Sequence, residues 1–235
     1  MVPARRYGQH VTERAGGVAS YDAIADWYET YVTADSGGFT ARSAGALRGV
    51  LGRGSGVCLD VACGTGVHAA TLRELGWTPV GADISMGQLR HARGRMPVMM
   101  ADAARLPIRA GSIGAVAAVA CHTDMPDYAA LCRAAARVLA PGGMFAHVGV
   151  HPCFIGAFAD RSDPERVIVS AGYWRRERSF GAWSPHGVRA RVGAVHLPLS
   201  GLLSAVIGAG LVVERVIEAG EPTPDVLAIR GRRPG

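Results

Sequence analysis

The run Val57-Cys58-Leu59-Asp60-Val61-Ala62-Cys63-Gly64-Thr65-Gly66 decides the fold. It reads as an apolar strand that enters a glycine-rich turn, and the turn opens a helix over about 67–75. In an open α/β sheet, ligands gather at the carboxyl ends of the strands, and glycines there let a ligand approach the backbone closely. Taken only as G-x-G-x-x-A, Gly64 to Ala69 also fits a dinucleotide site. Asp60 separates the alternatives, because it stands before the turn rather than after it. A carboxylate beside the loop suits an ammonium group and repels a pyrophosphate.

Outward from this turn, short apolar runs alternate with helical patterns. The runs are 57–61, 79–82, 98–100, 115–120 and 144–150, and the helical patterns lie at about 67–75, 86–94 and 127–139, the last closed by Pro141-Gly142-Gly143. Strand and helix repeated in this way predict a doubly wound, mostly parallel sheet with helices on both faces. A helix at about 199–209 and two further strands, 211–217 and 226–230, complete the pattern, the last two pairing antiparallel at the edge. Before the sheet, Ser20 is a candidate N-cap, and Ile24, Trp27, Tyr28 and Tyr31 follow the period of one helix face. A second helix runs from about Thr40 to Leu51. Residues 1–18 are polar and aperiodic and are expected to form a mobile arm. Residues 19–235 are expected to form one domain, with cap elements at 19–52 and 151–196.

Two more acids end the next two strands, Asp83 in Val80-Gly81-Ala82-Asp83-Ile84-Ser85 and Asp102 in Met99-Met100-Ala101-Asp102-Ala103. Three acids on three successive strands describe a cofactor with an amine, a ribose diol and an adenine amino group, and without phosphate. Here the chain resembles the class I S-adenosylmethionine-dependent methyltransferases, in particular the small-molecule branch with the ubiquinone and menaquinone C-methyltransferases. The resemblance covers about 56–150. It rests on D-x-A-C-G-T-G at 60–66, G-A-D-I-S at 81–85, A-D-A-x-x-L-P at 101–107 and L-A-P-G-G at 139–143, with Tyr21-Asp-x-Ile-Ala-x-x-Tyr28 similar to the family's first helix.

The resemblance implies the seven-stranded Rossmann-like methyltransferase fold and S-adenosylmethionine as cofactor. It also implies that Gly64, Gly66 and the Ala62 backbone hold the methionine part, with Asp60 nearby. Asp83 takes the ribose hydroxyls, Ile84 lies against the adenine, Asp102 and the Ala103 amide read its edge, and the Cys121 carbonyl accepts from the methionine ammonium. Nucleobase methyltransferases often carry an Asp/Asn-Pro-Pro-aromatic motif at the end of the fourth strand. Here the segment is Cys121-His122-Thr123-Asp124-Met125, which favours a small-molecule acceptor.

Aromatic residues flank the alternating core. Tyr7, Tyr21, Trp27, Tyr28, Tyr31 and Phe39 precede it, and Phe154, Phe158, Tyr173, Trp174, Phe180 and Trp183 follow. These segments are either the packing of a cap or the lining of an apolar pocket. Tyr21, Tyr28, Phe154 and Trp174 are the candidate acceptor contacts, and 151–186 is a candidate lid. Of the eight histidines, His122 and His151 end the fourth and fifth strands, so both are expected to face the crevice. His151, fixed in extended backbone by Pro152, is the candidate general base, and His122 a positioning group.

Composition narrows the classes. The 235 residues are 49% apolar, enough for a sizeable core. The chain has no lysine and no asparagine, so all 25 basic residues are arginine. That excludes a P-loop, a protein kinase and a Schiff-base enzyme, each of which needs a lysine amine. The net charge of +6 is dispersed, so nucleic acid is not an expected partner. Five cysteines without C-x-x-C suggest neither a disulfide framework nor a metal site. With no signal segment and no apolar stretch near the roughly 18 residues that span a bilayer, a cytoplasmic protein is expected, and a homodimer is left open. The expected activity is methyl transfer to a small, largely apolar metabolite. Its rivals are an S-adenosylmethionine-binding cyclase of secondary metabolism and an RNA-binding methyltransferase.

Overall fold

The short apolar runs and helical patterns of the alternating core become strands and helices close to where they are expected. The structure, a computed structural model, describes residues 20–35, 38–163, 165–181 and 187–235. The expected arm, Tyr7, Trp183 and His186 lie outside the described residues. The strands are β1 (Val57–Val61), β2 (Thr78–Asp83), β3 (Val98–Met100), β4 (Ile113–Val119), β5 (Leu139–Val150), β6 (Ala159–Asp160), β7 (Ile168–Val169), β8 (Val212–Ala219) and β9 (Val226–Arg232). The helices are α1 (Ala25–Ala34), α2 (Phe39–Leu51), α3 (Ala69–Glu74), α4 (Met86–Ala92), α5 (Tyr128–Val138), α6 (Val188–Val192) and α7 (Leu199–Gly208).

Seven strands form one sheet in the order β3-β2-β1-β4-β5-β9-β8, and β6 pairs with β7 apart from it. β1 to β5 run parallel, and β9 is antiparallel to both β5 and β8. This is the doubly wound sheet expected from the sequence. Its two apolar faces are covered separately. Leu131, Cys132 and Val138 of α5 and Leu202 and Val206 of α7 close one face over Leu59, Val61 and Val116. Leu47, Val50 and Leu51 of α2 and Leu72 of α3 close the other over Cys58, Ala115, Ala117 and Val148. No described helix is long and apolar enough to cross a membrane.

The order reverses between β1 and β4, and the crevice opens at that switch point. Two alanines sit there in left-handed backbone, Ala62 just after β1 and Ala120 just after β4, each at φ 54°. A non-glycine residue in that region costs about 1–2 kcal/mol, so the surrounding sheet and loops over-determine both turns.

Two local expectations are corrected. Ser20 does not cap α1, because a 3-10 turn over Asp22–Ile24 intervenes and the cap position has no side-chain bond. Pro141-Gly142-Gly143 does not separate helix from strand either. α5 ends at Val138 and β5 begins at Leu139, with the irregularity taken up as a register shift against β4 between Ile113 and Ala115.

Candidate functional site

The glycine loop is held in place by the acid that ends β2. One Asp83 oxygen accepts from the Gly64 amide and the other from the Ser85 amide, both at 2.8 Å. Gly64 and Gly66 have φ 53° and 76°, where a side chain is strained. A Cβ on Gly66 would also press on Met96 Cε at 3.1 Å and Ala92 Cβ at 3.2 Å. Ser85 caps α4 through its side chain, which accepts from the Gln88 amide and donates to Asp22 at 2.6 Å. Behind the loop, Arg95 bridges Glu29 of α1 and the Thr65 carbonyl, which ties the first helix to the turn.

Asp60 lies in the same place at the end of β1. It is 2% exposed, and its carboxyl has no hydrogen-bond partner among the described residues. Burial first, and then repulsion from Asp83, push its carboxyl up to about 7. Burial likewise raises Asp83, against the Ser85, Gly64 and Ile84 amides that favour its charge. Beyond β3 the surface is open and apolar. Ile84, just after β2, and Met100, at the end of β3, are each 62% exposed, and Asp102 closes the turn after β3 by accepting from the Ala104 amide. Ala103 is buried, and the Cys121 carbonyl accepts from the Asp124 amide at 3.0 Å.

Across the crevice, α1, α2, α6 and the ends of β4 and β5 enclose a cavity of about 270 Å³. Tyr21, Tyr28, Phe39, Val150 and Ile155 line it, together with Asp124 and Arg189. Tyr21 and Tyr28 meet edge to face at 5.3 Å, and the Tyr21 hydroxyl donates to Asp124 at 3.0 Å. Burial pushes the Asp124 carboxyl up to about 7, although the Tyr21 bond, Arg178 and Arg189 favour its charge. Arg42 and Asp225 form a two-pronged ion pair at the rim.

The structure brings Tyr21 and Tyr28 to this cavity but leaves Phe154 and Trp174 out of its lining. Phe154 packs on the His151 ring at 4.7 Å, and Trp174 is 66% exposed. Of the candidate lid at 151–186, Ile155 and Gly156 thus line this cavity beside Val188 and Arg189 of α6, whereas the two aromatics expected to do so do not.

Both histidine expectations are also corrected. His151 is 2% exposed, and its two ring nitrogens are taken, Nδ1 by the Cys153 amide at 3.1 Å and Nε2 by Glu218 of β8 at 2.6 Å. The ring reaches across β9 instead of forward into the crevice, so it has no lone pair for an acceptor. His122 turns into the core, edge to face with His147 at 5.0 Å and Tyr128 at 6.0 Å, and burial lowers it to about 3.

Sequence reasoning passed over Asp124 and Arg189. Asp124 had a signal, since it is the acid three residues past His122's predecessor in the fourth-strand segment. Arg189 had none, because its role depends on where α6 docks.

Residues 59–147 match a family described as a methyltransferase domain. The chain is 34% identical over 191 residues to a demethylmenaquinone methyltransferase of Corynebacterium kroppenstedtii, covering 73% of this chain and 81% of the relative. It is 40% identical over 98 residues to the methyltransferase GfsG of Streptomyces halstedii, covering 37% and 35%. Among solved structures it is similar to an S-adenosylmethionine-dependent methyltransferase of Mesorhizobium loti, with a TM-score of 0.67 and 24% identity over 80% of this chain and 96% of the other.

Proposed function

The chain belongs to the class I S-adenosylmethionine-dependent methyltransferases, and on that premise we propose that it methylates a small, largely apolar acceptor seated in the tyrosine-lined cavity. Asp60 carries the reading: a buried carboxylate without a partner, beside a glycine loop, is stabilised by a cationic group and not by phosphate. The bound cofactor supplies an activated methyl group. Gly64, Gly66 and the Ala62 backbone hold its amino-acid end with Asp60, and the Cys121 carbonyl adds an acceptor. Asp83 takes the ribose diol, Ile84 covers the adenine, and Asp102 with the Ala103 amide reads the adenine edge. The open apolar surface at Ile84 and Met100 fits a flat base.

Tyr21 and Tyr28 position the acceptor and exclude water, effects worth several kcal/mol through orientation alone. For an acceptor that must lose a proton, Asp124 is the base. Its carboxyl at about 7 matches neutral conditions, and Tyr21 aims it into the cavity. Likeness to demethylmenaquinone methyltransferases favours an aromatic or quinol-like reacting group.

Calorimetry with S-adenosylhomocysteine and with NADH, followed by mass spectrometry of products from aromatic acceptors, tests the reading. The nucleoside binds at micromolar levels, the product is one methylene heavier, and Asp124→Asn lowers kcat about tenfold or more with nucleoside affinity kept. Tight NADH binding without nucleoside binding ends the cofactor assignment. A product of unchanged mass replaces methyl transfer with cyclisation.

A further inference from the structure

A second cavity, of about 630 Å³, adjoins the tyrosine-lined one and shares Arg189 and Ala194 with it. Its charged lining is Arg175, Arg178, Arg189 and Glu177, joined by Phe180 and by His196, which burial and the neighbouring Arg189 and Arg176 keep neutral near pH 7. The two cavities thus form adjoining chambers, the first largely apolar and the second basic.

Arg189 stands at the junction in an unusual state. It is half-buried, and among the described residues its side chain makes no hydrogen bond and no ion pair. The acid whose field reaches it is Asp124, which lies beyond ion-pair distance and already accepts from Tyr21. A guanidinium that lines a cavity, is partly withdrawn from water and has its donors uncommitted to the protein is poised to pair with an anion. Arg178 differs, for it donates to the Val192 and Asp124 carbonyls.

The position of Arg189 is fixed rather than accidental. Arg191, two residues on in α6, lies 4.0 Å over the Trp27 ring of α1. The Val195 amide donates to the Thr123 carbonyl just past β4, at 2.8 Å. α6 is therefore clamped to both walls of the chamber.

We infer that the acceptor carries an anionic group, a carboxylate or a phosphate, which Arg189 binds at the junction while the apolar part occupies the tyrosine-lined cavity. The inference rests on the reading that this cavity takes the acceptor. Arg suits either anion through its planar fork, and Arg175 adds charge at the open end. A neutral quinol would leave Arg189 unpaired.

The test uses the full chain saturated with S-adenosylhomocysteine and three probes of one shape, naphthoate, naphthyl phosphate and naphthamide. At least one anion binds about tenfold or more tighter than the amide, and which one does so identifies the group. Arg189→Gln removes that preference, Arg189→Lys keeps part of it, and nucleoside affinity is unchanged in both. An amide that binds as well as both anions overturns the inference and leaves the acceptor cavity standing. A preference that survives Arg189→Gln overturns it too. Failure of all three probes to bind the loaded protein overturns the cavity reading along with it.

Discussion

The two sides of the crevice are assembled over different distances in the chain. On the cofactor side, Asp83 meets the Gly64 amide across 19 residues and the Ser85 amide across two, and Asp102 meets Ala104 across two. On the acceptor side, Tyr21 meets Asp124 across 103 residues and Arg42 meets Asp225 across 183. The acids of the first side are met by backbone amides, which every residue has, so glycines and acids at set spacings suffice to mark it, although Asp22 and Glu29 brace it from the first helical segment. The second uses side chains brought together by the sheet order, so it can change with little trace in any local motif.

This contrast breaks most readily at Asp83. If its two oxygens both set the glycine loop and hold the cofactor, Asp83→Ala removes charge-assisted bonds from a largely buried group, worth roughly 2–3 kcal/mol. S-adenosylhomocysteine affinity then falls about a hundredfold by calorimetry, while naphthalene-probe binding to the tyrosine-lined cavity changes little. An equal loss of both would mean that the sides are not separable.

Asp60 sharpens the comparison through pH. Burial and Asp83 raise its carboxyl to about 7, so in the free protein it holds a proton that a model carboxylate would have lost. The sign follows from linkage: a raised acid favours the fold below its unfolded value, and that contribution is lost as pH rises through about 7. A bound ammonium draws the carboxyl back to its charged form. Nucleoside affinity therefore rises with pH up to about 7, by at most about tenfold per unit, with proton release visible as a buffer-dependent heat. Asp60→Asn flattens the profile. A wild-type profile that is flat from about pH 5 to 8 would remove the ammonium from Asp60's vicinity.

The uneven legibility of the site follows the same division. The turn at 60–66 and the acids at 83 and 102 were readable because strand ends, glycine conformation and charge are local properties. Tyr21 and Tyr28 were readable because aromatic residues cluster in the short stretch before the sheet, in a segment similar to the family's first helix. His151 misled because the sequence shows that a residue ends β5 but not that β9 and β8 lie alongside with Glu218 within reach. Trp174 misled because aromatic content does not say which rings pack inward. Arg189 was illegible because nothing before the docking of α6 distinguishes it from 24 other arginines.

His151 gives the smallest and most discriminating effect. Its ring spans two elements, binding the Cys153 amide after β5 and Glu218 on β8, and it stacks against Phe154. Glu218 is 56% exposed on its side chain, so solvent weakens that bond, and the buried ring contributes chiefly by filling its site and satisfying the amide. His151→Ala should then lower unfolding stability by about 1–2 kcal/mol, read from a denaturant midpoint. Because neither nitrogen faces the acceptor, kcat at neutral pH stays within about twofold of the wild-type value. His151→Gln, which can still meet the Cys153 amide, recovers part of the stability and leaves kcat where it was. A fall of about a hundredfold in kcat with stability intact would return the base to β5 and displace Asp124 from that role.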